Sequence, residues 1–112
     1  MRFRVIMAVA LVVAVSVACD ETSTNGVFTE RDATVVMPGN AFSPLTVTVP
    51  VGGKVLWVGS GTVHNVAFGS PDAPSGCPNW SIGDCLRTFP VAGIFDYICT
   101  LHPGMAGRVT AE

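Results

Sequence analysis

From residue 34 onward, apolar and polar positions alternate with a period of two rather than 3.6, which is the pattern of half-buried strands. Leu45 to Val49 reads Leu-Thr-Val-Thr-Val, and Gly93 to Cys99 alternates Ile94, Asp96 and Ile98 with Phe95, Tyr97 and Cys99. Short strands are also predicted over Thr34 to Met37, Val55 to Val58, Val63 to Phe68 and Arg108 to Ala111. A Gly52-Gly53 turn precedes the third of these six runs, and glycine or proline punctuates every gap. No stretch carries an amphipathic helical pattern, and no internal repeat is present. Several short strands joined by tight turns predict an all-β sandwich. Gly69 to Leu86 has no regular pattern and is expected to be a long loop. Loops of that length are uncommon in a compact domain unless they are functional or stapled. A Cys77–Cys85 bond would staple this one, contributing about 2–3 kcal/mol on the loop-entropy account. Trp80, inside the loop, is a candidate for a docking surface as well.

The first 33 residues follow a different pattern. Arg2 and Arg4 precede an apolar run from Val5 to Ala18, 14 residues interrupted only by Ser16. A transmembrane helix needs roughly 20 such residues, so the run fits the h-region of a signal peptide, residues 1–18. Val17-Ala18-Cys19 resembles a bacterial lipobox, in which the cysteine is lipidated and becomes the first residue. Ser16 stands where that pattern prefers a large aliphatic. Secretion with cleavage nearby, or a retained anchor, are the alternatives. Residues 19–33 are polar and read as a tether, leaving one small domain over 34–112. The expected location is extracytoplasmic, in the periplasm or on the outer face of the cell membrane, with lipid at Cys19 as the membrane attachment.

The chain has six basic and eight acidic residues, net −2. Losing Arg2 and Arg4 with the signal segment, and no acid, makes the net charge −4. That argues against nucleic-acid binding, which needs a basic face. Export permits disulfides. With Cys19 lipidated and Cys77 near Cys85, Cys99 is left over, although four cysteines allow three pairings. Metal ligation is one explanation for an odd thiol.

The candidate chemistry is concentrated in Cys99-Thr100-Leu101-His102-Pro103-Gly104-Met105. It offers a thiolate, an imidazole and a thioether at intervals of three residues. His64, the other of two histidines, lies upstream in Val63-His64-Asn65-Val66. Two imidazoles and one thiolate with a weak axial thioether suit copper, whose two oxidation states differ in softness. A thioether is a poor zinc ligand. Pro103-Gly104 supplies a turn that could aim the donors at one point, because proline presets φ and glycine accepts φ > 0. Asn65 and Thr100 are placed to hydrogen-bond across the two ligand segments and hold them. Met37 and the aromatics Trp57 and Phe68 are expected in the core.

These stretches, with Val51-Gly52-Gly53-Lys54-Val55-Leu56-Trp57 and Phe95-Asp96-Tyr97-Ile98-Cys99, resemble the plastocyanin/azurin family of blue copper proteins, the cupredoxins, over residues 34–111. The Cys-x2-His-x2-Met spacing is most like that of the amicyanin and halocyanin-like branches. The resemblance implies a Greek-key β-sandwich holding one copper ion through His64, Cys99 and His102, with Met105 axial. It implies an electron carrier in which electrons pass through the edge of His102, ringed by Pro103, Gly104 and Ala106. Its partners would be transient redox proteins, and the protein itself a monomer. Ile98 stands where plastocyanins often carry tyrosine, and the Cys77/Cys85 loop is an addition to the simplest family pattern. A copper chaperone or store is the competing function. A copper enzyme would need further histidines for a second metal centre, and the chain has none to spare.

Overall fold

The computed structural model describes residues 31–112. The predicted signal segment 1–18, the Cys19 lipidation site and the tether up to residue 30 lie outside the described residues. Within them the chain forms eight strands: β1 (Ala33–Val36), β2 (Thr46–Val49), β3 (Gly53–Val58), β4 (His64–Phe68), β5 (Cys77–Trp80), β6 (Asp84–Phe89), β7 (Gly93–Ile98) and β8 (Ala106–Ala111). A three-stranded sheet runs β1-β3-β6, and a five-stranded sheet runs β2-β8-β7-β4-β5. β1 pairs with β3 and β2 with β8 in parallel; the other pairs are antiparallel. The predicted β-sandwich is therefore the observed architecture.

The alternation seen in sequence sets which face is buried. In β2, Val47 and Val49 point inward and Thr46 and Thr48 outward; in β7, Phe95 and Tyr97 point inward and Ile94, Asp96 and Ile98 outward. Between the sheets Trp57 is fully buried, with edge-to-face contacts to Tyr97 (ring centroids 5.3 Å apart) and Phe68 (6.1 Å). Phe42 adds a third edge contact, to Tyr97 at 4.7 Å. Such pairs add about 0.5–1.5 kcal/mol each beyond the area they bury. Met37 is buried as expected, whereas Phe68 is half-buried at the margin of the cluster.

Burial pushes the Tyr97 phenol up to about 12, against a smaller opposing influence from Trp57. The folded state therefore holds this proton more tightly than the unfolded chain, where the phenol titrates near 10. Its stability contribution is complete below pH 10 and is lost as pH rises from about 10 to 12, a change of roughly 2–3 kcal/mol. Chemical denaturation at stepped pH should show the midpoint falling across that window. In Tyr97→Phe the fall over the same window should be smaller.

Opposite Tyr97 in the β7–β8 register stands Gly107. A Cβ at Gly107 would sit 2.4 Å from the Tyr97 ring and hydroxyl, far inside contact distance. The Gly107→Ala variant should be destabilised by about 1–3 kcal/mol through overpacking. For a domain of this size that is a melting point lower by several degrees in a thermal unfolding scan.

Three expectations need correction. The stretch 69–86 is not one long loop: β5 lies within it and β6 begins in it, leaving Gly69 to Gly76 and the short Ser81-Ile82-Gly83 link outside the strands. Both are edge strands of their sheets. β5 reads Cys-Pro-Asn-Trp, with a proline tolerated because one side of the strand is unpaired. β6 buries only Phe89 completely, so neither shows a clean alternation. Second, Asp32 and Ala33, expected as the end of the tether, belong to the sandwich. Ala33 is already in β1, and Asp32 both donates its N–H to the Lys54 carbonyl (2.8 Å) and accepts the Lys54 N–H on Oδ2 (2.7 Å). Third, β8 starts two residues before Arg108, because Ala106 and Gly107 pair with Ile98 and Tyr97.

Candidate metal centre

Cys99 directly follows β7, and Met105 directly precedes β8, so the seven-residue segment is the link between two neighbouring antiparallel strands. Two backbone bonds close it: the Cys99 N–H donates to the Met105 carbonyl (3.0 Å), and the Met105 N–H donates to the His102 carbonyl (3.1 Å). The second of these spans His102-Pro103-Gly104-Met105, with Gly104 at φ 81°. That is the arrangement a type II turn requires, with proline second and a positive-φ residue third. The turn directs the His102 imidazole back toward the cysteine. Continued alternation along β7 carries the Cys99 side chain to the inner face, where the residue is only 3% exposed.

His64 arrives from the other side, as the first residue of β4, and is fully buried. The Cys99 sulfur lies 3.4 Å from His102 Nδ1 and 3.9 Å from His64 Nδ1. All three donor atoms fall within 4.8 Å of one another. Bonds of 2.0–2.3 Å from a first-row ion to nitrogen and sulfur imply donor separations of roughly 3.5–4 Å in a trigonal plane, so the observed spacing fits a metal at the centre. Met105 is buried beside this cluster, 2% exposed, at the end of the same turn. Burial, and then the neighbouring His102, hold the His64 imidazolium below its usual range; the Gly39 backbone opposes this. A neutral imidazole is the form that can donate a lone pair to a metal.

The sequence nominated Asn65 and Thr100 as a clamp between the two segments, and the structure joins them twice. Asn65 Nδ2 donates to Thr100 Oγ1 (2.7 Å), and Asn65 Oδ1 accepts the Thr100 N–H (2.8 Å). One neighbour was missed: Asn79 of β5, whose Oδ1 accepts a second bond from Asn65 Nδ2 (2.9 Å). The signal for it was weak, a lone carboxamide between two half-cystines. Those half-cystines, Cys77 and Cys85, are joined in a disulfide that links β5 to β6, and Cys99 is free. Pro103, Gly104 and Ala106 are exposed around the half-buried His102, with Leu101 and Val63 adding apolar surface at the same end. Trp80 is half-buried, faces His64 across the β4–β5 pair and donates its indole N–H to the Gly83 carbonyl (3.1 Å).

No family model matches the chain. An amicyanin from Paracoccus versutus is 41% identical over 71 residues, 59% of this chain and 54% of that protein; the chain thus spans about half the length of that curated relative. Among solved structures, a purple cupredoxin from Nitrosopumilus maritimus superposes with a TM-score of 0.65 at 27% identity, over 72% of this chain and all of the other. The crystal structure of Paracoccus versutus amicyanin gives a TM-score of 0.63 at 32% identity, over 75% of this chain and 85% of that one. With a sandwich that superposes on theirs, and a Cys–His–His cluster at the ends of β4 and β7 in which Cys99 and His64 are buried and His102 half-buried, this chain belongs to the cupredoxin family of blue copper proteins.

Proposed function

We propose that this protein is an electron carrier that holds one copper ion through His64, Cys99 and His102, with Met105 as the weak axial ligand. The observation that carries this reading is the convergence of one buried sulfur and two imidazole nitrogens within 4.8 Å, from two separate strand ends. When bound, copper supplies a one-electron couple between Cu(I) and Cu(II). The chain supplies rigidity. Paired strands fix Cys99 and His64, the Pro103-Gly104 turn fixes His102 and Met105, and burial keeps water from the sulfur. Ligands that cannot relax toward the preferred geometry of either oxidation state need little rearrangement when the electron moves. His102 is the one donor of the three that is not fully buried, so its edge is the route to a partner, through the exposed rim of Pro103, Gly104 and Ala106.

The storage reading is weaker because the donors are few, buried and held, rather than clustered on the surface. An enzymatic reading lacks ligands, since both histidines of the chain are already in this cluster. The partners in this proposal are extracytoplasmic redox proteins that dock briefly, over a small interface. The Cys77–Cys85 disulfide fits an oxidising compartment. The signal segment, the lipid at Cys19 and the monomeric state belong to the same proposal.

Visible and EPR spectroscopy of the copper-loaded protein tests it. An intense blue or purple thiolate-to-copper charge-transfer band, one copper per chain and rapid electron self-exchange are expected. A colourless stoichiometric Cu(II) complex would sink the proposal, and colour without self-exchange would favour storage.

A further inference from the structure

The pair of edge strands β5 and β6, consecutive in the chain but in opposite sheets, is the part of the molecule that electron transfer leaves unused. β5 pairs only with β4, yet it is fastened to the opposite sheet from several directions. The disulfide joins Cys77 to Cys85 of β6. Arg87 of β6 donates from Nε to the Ser75 carbonyl (2.8 Å) and from Nη2 to the Gly76 carbonyl (2.9 Å), just ahead of β5. In the link between β5 and β6, the Gly83 and Ser81 carbonyls accept the Gly59 and Gly61 N–H groups, each at 2.8 Å. β5 is thus a braced edge strand, and it lies against the strand that carries His64.

The β4–β5 register pairs His64 with Trp80 and Val66 with Cys77, with an irregularity between them. Asn65 and Asn79 stand in that irregularity, their carboxamides 2.9 Å apart. Asn65 has two amide hydrogens, and Asn79 Oδ1 and Thr100 Oγ1 take one each, while its own oxygen takes the Thr100 N–H. A half-turn of the Asn65 carboxamide would set its NH2 against the Thr100 N–H and its oxygen against Asn79 Oδ1. The Thr100 N–H therefore specifies the orientation of the Asn65 carboxamide, and Asn79 Oδ1 takes the amide hydrogen that Thr100 leaves. Asn79 is the end anchored outside the two ligand segments.

We propose that Asn79 is a positioning residue for the ligand loop. It fixes the Asn65 carboxamide, which holds Thr100 and so the backbone of Cys99, while the disulfide to β6 and the Arg87 bonds keep β5, and with it Asn79, in place. The proposal rests on the reading of Cys99 as a ligand. Asn79 is exposed, so its replacement leaves the core intact.

The test uses the full chain, first without copper. In Asn79→Ala, hydrogen exchange of the Thr100 amide should speed up about fivefold, the factor that corresponds to one net hydrogen bond. Amides of β3 should be unchanged. Asn79→Asp keeps an acceptor oxygen and should restore slow exchange. In an Asn65→Ala background, adding Asn79→Ala should change nothing further. With copper, Asn79→Ala should shift the charge-transfer band and the reduction potential, and Asn79→Asp, which keeps the acceptor but adds a charge that by itself lowers the potential, should move the band less. Thr100 exchange that is unchanged in Asn79→Ala, or an equal further loosening in the Asn65→Ala background, overturns the proposal. If Thr100 responds as expected but the Cu(II) protein has no blue or purple band, the role of Asn79 stands and the electron-carrier reading falls, so the two failures are told apart.

Discussion

Cys99→Ser should remove the visible charge-transfer band completely while leaving a folded sandwich. The band needs a thiolate sulfur as electron donor to Cu(II), and a serine hydroxyl is neither ionised at neutral pH nor soft enough to replace it. The sulfur is also the donor nearest both imidazoles, at 3.4 and 3.9 Å, so its loss leaves two nitrogens without the atom they converge on. Copper(I) affinity should fall most, because that state depends most on the soft ligand. The fold should survive, because serine is smaller than cysteine and its hydroxyl falls within reach of two imidazoles. The cost of burying it, about 1–3 kcal/mol at most, is a modest part of a domain's stability. Visible absorption and EPR, read beside a thermal unfolding scan of the copper-free protein, check both halves. A Cys99→Ser variant that stays blue would remove Cys99 from the site.

Met105→Leu should raise the reduction potential and keep the colour. Leucine matches methionine closely in volume, so a buried site tolerates the exchange at under about 1.5 kcal/mol. It removes a weak thioether donor, and the lost donation destabilises Cu(II), which prefers more ligands, more than Cu(I). For a one-electron couple each tenfold shift in relative affinity appears as about 59 mV, and a rise of at least that order is expected in voltammetry. An unchanged potential would mean that Met105 fills the core and does not touch the metal.

The donors could be nominated from sequence because their chemistry is unusual and compact. A thiol, an imidazole and a thioether within seven residues, beside a proline-glycine turn, have few structural reasons to coincide. His64 could be added because the chain holds only one other histidine. The inward face of β7 was legible because Phe95, Tyr97 and Cys99 alternate with Asp96 and two isoleucines. β5 and β6 were not, since edge strands need not alternate and their half-cystines and proline read as loop composition. For the same reason only a weak signal pointed to Asn79, whose partner is set by a β-irregularity that only three-dimensional pairing creates. Gly107 carries no sequence mark either. Its need to lack a side chain comes from Tyr97 across the ladder.

β8 is the last strand in the described chain, yet it lies between β2 and β7. Until it arrives, β2 has no partner in its sheet and the link from Cys99 to Met105 has only one fixed end. The domain therefore cannot complete itself progressively from its first strand onward. Its closing event joins the earliest and latest segments of the sheet, which is the slow, non-local kind of folding step. The three donors of the Cys99–Met105 segment take their final arrangement in that same event, so a chain that has not finished folding cannot offer a preformed copper pocket.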